Sequence, residues 1–149
     1  MKRPILEYRL MKSHENFEPL YHYEQIELEQ ILARRECEFF IKEGITYQQI
    51  SSAIEDDITI IYVKKYEEDP FENVGTEEGI FLEYRELNNR KDHPLIKKEV
   101  HSWHLEILHV IGTVYHYLEN MEWERDSAEI DEDRRTYVLY MKPTGFSLT

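Results

Sequence analysis

Five of the seven histidines fall between positions 93 and 116, and that crowding is where chemistry would first be sought. On a helix, His101 and His104 would stand one turn apart and could share an ion. His109 and His116 would share an azimuth but lie about 10 Å apart along the axis, too far to bind one metal. A complete site would need further ligands such as Glu99, Glu129 or His22, and the His-Glu-x-x-His spacing of metalloproteases is absent. These five histidines, with His93 the first, are therefore expected to be solvated or hydrogen-bonding, with no metal and no cofactor.

Other reactive residue types are scattered. Cys37 follows Arg34 and Arg35 but lacks the helix start or basic pocket that activates a thiol. As the sole cysteine, it excludes an internal disulfide. The five glycines are too dispersed for a phosphate-cradling loop, and no Ser–His pair carries a nucleophile elbow. Asp131-x-Asp133 opens like a calcium loop, but arginine follows where another oxygen ligand and a glycine are required. Trp123 could desolvate a nearby carboxylate for acid–base work, yet no spacing singles one out. No catalytic residue is assigned, and the case for an enzyme is thin.

The net charge of −13 is the strongest compositional bias. It argues against direct binding to nucleic acid or to an anionic membrane, both of which need clustered Lys and Arg. Glu67, Glu68, Asp69, Glu72, Glu77 and Glu78 have no base among them, and Glu119 to Asp133 holds eight acids against Arg125 alone. The leading expectation is a non-catalytic binding or regulatory protein whose acidic surfaces meet a basic protein, in the place of that protein's nucleic acid or as its inhibitor. The alternative is a small-molecule pocket or small enzyme. Its aromatic cavity would be lined by Trp103, Tyr62, Tyr84 and Tyr137, with His104 and Arg85 as polar handles.

These residues need elements to hold them. Ile96, Val100, Trp103, Ile107, Val110, Ile111, Val114, Tyr117, Leu118 and Met121 recur at spacings of three and four, which predicts one long amphipathic helix over about 94–120. Asp92 would cap it and Pro94 would sit in its first turn. On its far side Leu105, Leu108, Gly112 and Tyr115 form a second stripe. A mid-helix glycine costs about 1 kcal/mol, so Gly112 suggests a local bend or close approach, either by other parts of this chain or by a partner, most simply at a homodimer seam. A shorter helix is expected over about 23–35, with Leu28, Ile31, Leu32 and Arg35 along one side.

Strands are expected at Pro4–Met11, 38–42, 45–54, 58–64 and 80–87, with a terminal hairpin of 123–129 and 135–142. Ser13 to Pro19 reads as a loop, and no internal repeat or linker separates two domains. The expected fold is α+β, a single domain over 1–149: an antiparallel sheet of five or six strands packed on the long helix. A hydrophobic fraction of 41% over 149 residues is enough for a core. No apolar run spans a membrane and no signal peptide is visible, so the protein is expected to be cytoplasmic.

Overall fold

The computed structural model describes residues 4–68 and 78–148. The predicted acidic residues Asp69, Glu72 and Glu77 lie outside the described residues. In chain order the elements are β1 (Ile5–Ser13), β2 (Asn16–Tyr23), α1 (Leu28–Arg35), β3 (Phe39–Lys42), β4 (Ile45–Glu55) and β5 (Ile58–Glu68). There follow β6 (Ile80–Glu86), a 3-10 turn (Asn89–Lys91), β7 (Leu95–His101), α2 (His104–Ile111), β8 (Tyr115–Leu118), β9 (Met121–Asp131) and β10 (Thr136–Ser147). All ten strands join one mixed sheet in the order β2-β1-β5-β4-β3-β9-β10-β6-β7, with β8 paired to β9.

This overturns the expected architecture. The sheet is neither antiparallel nor five- or six-stranded: β1 runs parallel to β5, β10 to β6, and β3 to β9. The long helix over 94–120 is three elements, β7, α2 and β8. Their separate apolar positions happen to continue one helical wheel, but the backbone between them cannot be helical. Gly112 is the C-cap of α2, not a mid-helix residue. Thr113-Val114-Tyr115 is β-branched and aromatic, suited to a strand. Glu119 and Asn120 both take left-handed φ (54° and 61°), the geometry of a tight hairpin turn between β8 and β9. Asp92, expected as a helix cap, is left-handed with His93 just before β7.

The N-terminal helix is shorter than the expected 23–35, because Tyr23 pairs with Leu6 in the sheet. Strand β2 also runs through Pro19, read from sequence as loop. Proline is tolerated there because β2 is an edge strand and a register shift sits between Tyr8 and Arg9, the latter pairing with Pro19.

The chain is built from two like halves, contrary to the expectation of no repeat. Each half runs strand, strand, helix, strand, strand, strand. In each, the first two strands are antiparallel, the first and last parallel, and the last three form an antiparallel meander. Leu6-Glu7-Tyr8-Arg9 in β1 recurs 76 positions on as Leu82-Glu83-Tyr84-Arg85 in β6. Ile61-Tyr62-Val63-Lys64 in β5 answers to Leu139-Tyr140-Met141-Lys142 in β10, after two extra residues in the preceding turn. The left-handed pair Glu43-Gly44 matches Glu119-Asn120, and the bulged residues Ile50 and Asp126 are equivalent. The two glutamate–arginine pairs of the repeated motif, Glu7–Arg9 and Glu83–Arg85, are both formed.

Both helices contribute to one core. Ile31 of α1 and Ile107 of α2 are equivalent positions, 1% and 0% exposed, and they share a cluster with Leu6, Tyr8, Val63, Leu82, Leu139 and Met141. The helix ends lie near each other: an added Cβ at Gly112 would meet the carboxylate of Glu36, its equivalent in the first half, at an ordinary 3.9 Å, and the Leu108 carbonyl of its own helix more tightly, at 3.1 Å. The tight neighbour of this glycine is thus its own last helical turn, and no partner seam is needed to account for it.

Candidate functional site

Where α1 and the start of α2 meet the turn between β9 and β10, a cavity of about 300 Å³ opens between the two halves. Tyr23 at the end of β2 and Gln30 and Arg34 on α1 line it from the first half. The second half supplies Gly79 and Ile80, His104, Ile130, Glu132, Arg135 and Tyr137. The volume lies at the lower end of ligand cavities, which start at roughly 300 Å³.

Arg34 is the unusual member. It follows Ile31 by three positions, so helical geometry turns it inward, and it is only 4% exposed. Its guanidinium packs on rings, with its central carbon 4.9 Å from the centre of Tyr23 and 5.7 Å from that of Phe40. Nη1 donates to Glu132 Oε2 at 3.2 Å and to the Tyr8 hydroxyl at 3.5 Å. Among the described residues its buried Nε–H meets no acceptor. Burial alone would lower the pKa of Arg34, but Tyr8, Glu132 and the other surrounding phenols outweigh it, and the side chain stays charged.

Glu132 holds this arrangement. It also receives Lys42 Nζ at 2.8 Å and the Tyr23 hydroxyl at 2.6 Å. Burial would raise its pKa, yet Arg34 and Lys42 pull it below the ordinary glutamate value. On the far wall, His104 Nδ1 lies 2.9 Å from the Tyr137 hydroxyl. Burial, with Arg34 nearby, lowers the pKa of His104 against an opposing pull from Glu29, so the imidazole is neutral at pH 7.

The residues expected to line a pocket are dispersed. His104 and Tyr137 do meet here, but Trp103 caps α2 and is 68% exposed. Tyr84 is buried and donates to Glu99, while Tyr62 packs against Phe17 with the two rings tilted. Arg85 lies in a larger cavity of about 440 Å³, with Glu83, the partner of Arg85, close by. There Arg134 binds Glu83 and Asp131, and Arg85 also donates to the His93 carbonyl, so these cations are already satisfied by the fold. The expected seam residues do not share one stripe: Leu105 and Leu108 are on α2, Gly112 is at its end and Tyr115 is on β8. Leu105 and Tyr115 are half exposed, and Leu108 packs partly on the core. Glu67 and Glu68 occupy the exposed end of β5.

Of the histidines, His101 contacts Glu99, and His116 contacts the Thr113 carbonyl. No cluster suited to a metal ion occurs among the described residues. No helix there is long and apolar enough to cross a membrane.

Arg34, Glu132, Gln30 and Arg135 were not singled out from sequence. The available signal was the inward spacing of Ile31 and Arg34, which places an arginine where an apolar residue is ordinary. Comparison with known proteins finds no family model, no curated protein and no solved structure that matches this chain.

Proposed function

We propose that the chain is a binding protein that holds a small molecule in the cavity between its halves. The observation that carries this reading is the cavity of about 300 Å³ between the halves, which joins apolar wall to a few polar side chains, among them Gln30, Arg34, His104 and Glu132. The rings of Tyr23 and Tyr137 and the side chains of Ile80 and Ile130 supply apolar wall, as ligand sites require. The experiment is a titration of isotopically labelled protein with single-ring fragments, followed by amide NMR. Shifts clustered at Gln30, Arg34, His104 and Tyr137 support the reading. Fragments that bind only near Glu83 and Arg134, or nowhere, overturn it.

A second reading rests on the acidic surface. Arg34, Lys42, Arg85, Arg125 and Arg134 are engaged by carboxylates within the fold, so the outward field is set by acids such as Glu67 and Glu68. Such a surface suits a basic protein partner, and a complex of that kind would weaken steeply with salt. Leu105 and Tyr115 would supply exposed apolar area if the chain also self-associates.

A further inference from the structure

We propose that two copies of this chain associate by strand pairing, with β8 of each copy lying parallel to the Ala53–Glu55 edge of β4 in the other. The proposal does not depend on the cavity.

The duplication offers this contact twice, and the chain makes it once internally. β3 pairs with β4 and, along its other edge, runs parallel to β9, with Phe39, Phe40 and Ile41 opposite Glu129, Ile130 and Asp131. The equivalent strand β8 pairs with β9, but its other edge meets no strand among the described residues. Ala53–Glu55, which stand 76 positions before Glu129–Asp131, pair with β5 alone. Burial follows the pairing. Ser127–Asp131 are all buried, whereas the equivalent Ser51–Glu55 are all exposed. Ile130 is 4% exposed and its equivalent Ile54 is 73% exposed. Tyr115 and Tyr117, the equivalents of Phe39 and Ile41, are both exposed as well.

One turn accounts for the asymmetry. Glu132 N–H donates to the Ile41 carbonyl at 2.9 Å, and the Asp133 carboxylate accepts the Glu43 and Gly44 N–H groups at 2.7 and 2.9 Å. These bonds clamp the β3–β4 hairpin against β9. The turn between β4 and β5 is two residues shorter than the one that supplies them, and β8 and β4 stay unpaired within the chain.

The sequence leaves these same edges unguarded. Ile107–Leu118 and Ile45–Ile54 are the two longest stretches of the chain without Asp, Glu, Lys or Arg. The outermost strands carry the usual guards against pairing, Glu18 and Pro19 in β2 and Lys97 and Lys98 in β7. An exposed, uncharged edge in a chain of net charge −13 is suited to a partner strand. The β3–β9 contact shows which strand fits it, and β8 is the equivalent of β3. A second copy supplies both edges, so the contact forms twice about a twofold axis, with Tyr115, His116 and Tyr117 opposite Ala53, Ile54 and Glu55.

The test is light scattering of the intact protein from about 1 μM to 1 mM, the span of dissociation constants for modest contacts. The mass is expected to rise from one copy to two. Ile54→Lys and Tyr117→Lys place a charge on exposed edge positions and should each raise the dissociation constant at least about tenfold, while Leu105→Lys on α2 should leave it unchanged. A short bis-maleimide should link Ala53→Cys protein to Tyr115→Cys protein when the two are mixed, since the buried Cys37 does not compete. A single copy at every concentration overturns the proposal, including one whose amides at 53–55 and 115–117 resist hydrogen exchange because β8 has closed on its own β4. So does a dimer unmoved by both edge lysines, one dispersed by Leu105→Lys alone, or a mixture that links only like with like.

Discussion

Removing the carboxylate of Glu132 is the sharpest perturbation of the site. Three donors converge on its two oxygens: Arg34 at 3.2 Å, Lys42 at 2.8 Å and the Tyr23 hydroxyl at 2.6 Å. In Glu132→Gln the side chain keeps its size but has one acceptor oxygen, and its amide N–H₂ must face a donor. The Arg34 charge, only 4% exposed, then has no counter-ion. Deleting one partner of a buried pair costs about 3–5 kcal/mol. Because the Glu132 side chain is 26% exposed, solvent screening reduces that cost, and about 2–4 kcal/mol is expected. Urea unfolding at pH 7 measures it. The pH dependence provides a second check. Arg34 and Lys42 hold the folded-state pKa of Glu132 below its unfolded value, near about 4.3. Its stabilisation is therefore complete above that value and is lost as pH falls through the folded pKa. The wild-type advantage should stay constant above about pH 5 and shrink toward pH 3. A cost under about 1 kcal/mol, or a gap unchanged at pH 3, would refute the assigned role.

Three further outcomes follow from the same geometry. His104 has a folded-state pKa below its unfolded value of about 6.5, so stability should fall from pH 7.5 to 5.5, by up to about 1.4 kcal/mol per pH unit for one proton; denaturation of His104→Gln at both pH values should show that part of the slope removed. Ile31→Ala and Ile107→Ala occupy equivalent, fully buried positions and should each cost about 2–5 kcal/mol in urea unfolding; a large cost at one alone would contradict the shared core. Gly44→Ala forces a Cβ onto φ 76° and should lower stability by about 1 kcal/mol in thermal melts, whereas Asn120→Gly at the equivalent turn should be close to neutral.

Strand-forming segments with a plain alternating or β-branched pattern were legible in the sequence. Phe39–Lys42, Ile58–Glu68 and the hairpin of β9 and β10 lie close to where their residue types place them. The stretch from Leu95 to Leu118 was misleading because Ile96, Val100, Ile107, Ile111, Tyr117 and Leu118 fit a helical wheel although three elements supply them. The decisive local features were Gly112 as a C-cap and the left-handed Glu119-Asn120 turn, neither of which disturbs a hydrophobic period. The parallel pairings were hidden for a different reason: they depend on strands about fifty residues apart, which no local pattern reports. The duplication was readable in Leu-Glu-Tyr-Arg at 6–9 and 82–85, yet the intervening residues differ enough to mask it. Of the site, His104 and Tyr137 were marked as polar and aromatic handles, while Arg34 was not, since an arginine on a short helix is ordinarily solvated.

The most direct measurement is a crystal structure of the protein soaked with single-ring fragments. The account predicts a ring between Tyr23 and Tyr137, in the cavity lined by Gln30, Arg34 and His104, with Glu132 still bound to Arg34 Nη1. Fragments seated only beside Arg85 and Arg134, or a cavity closed by its own side chains, would contradict it.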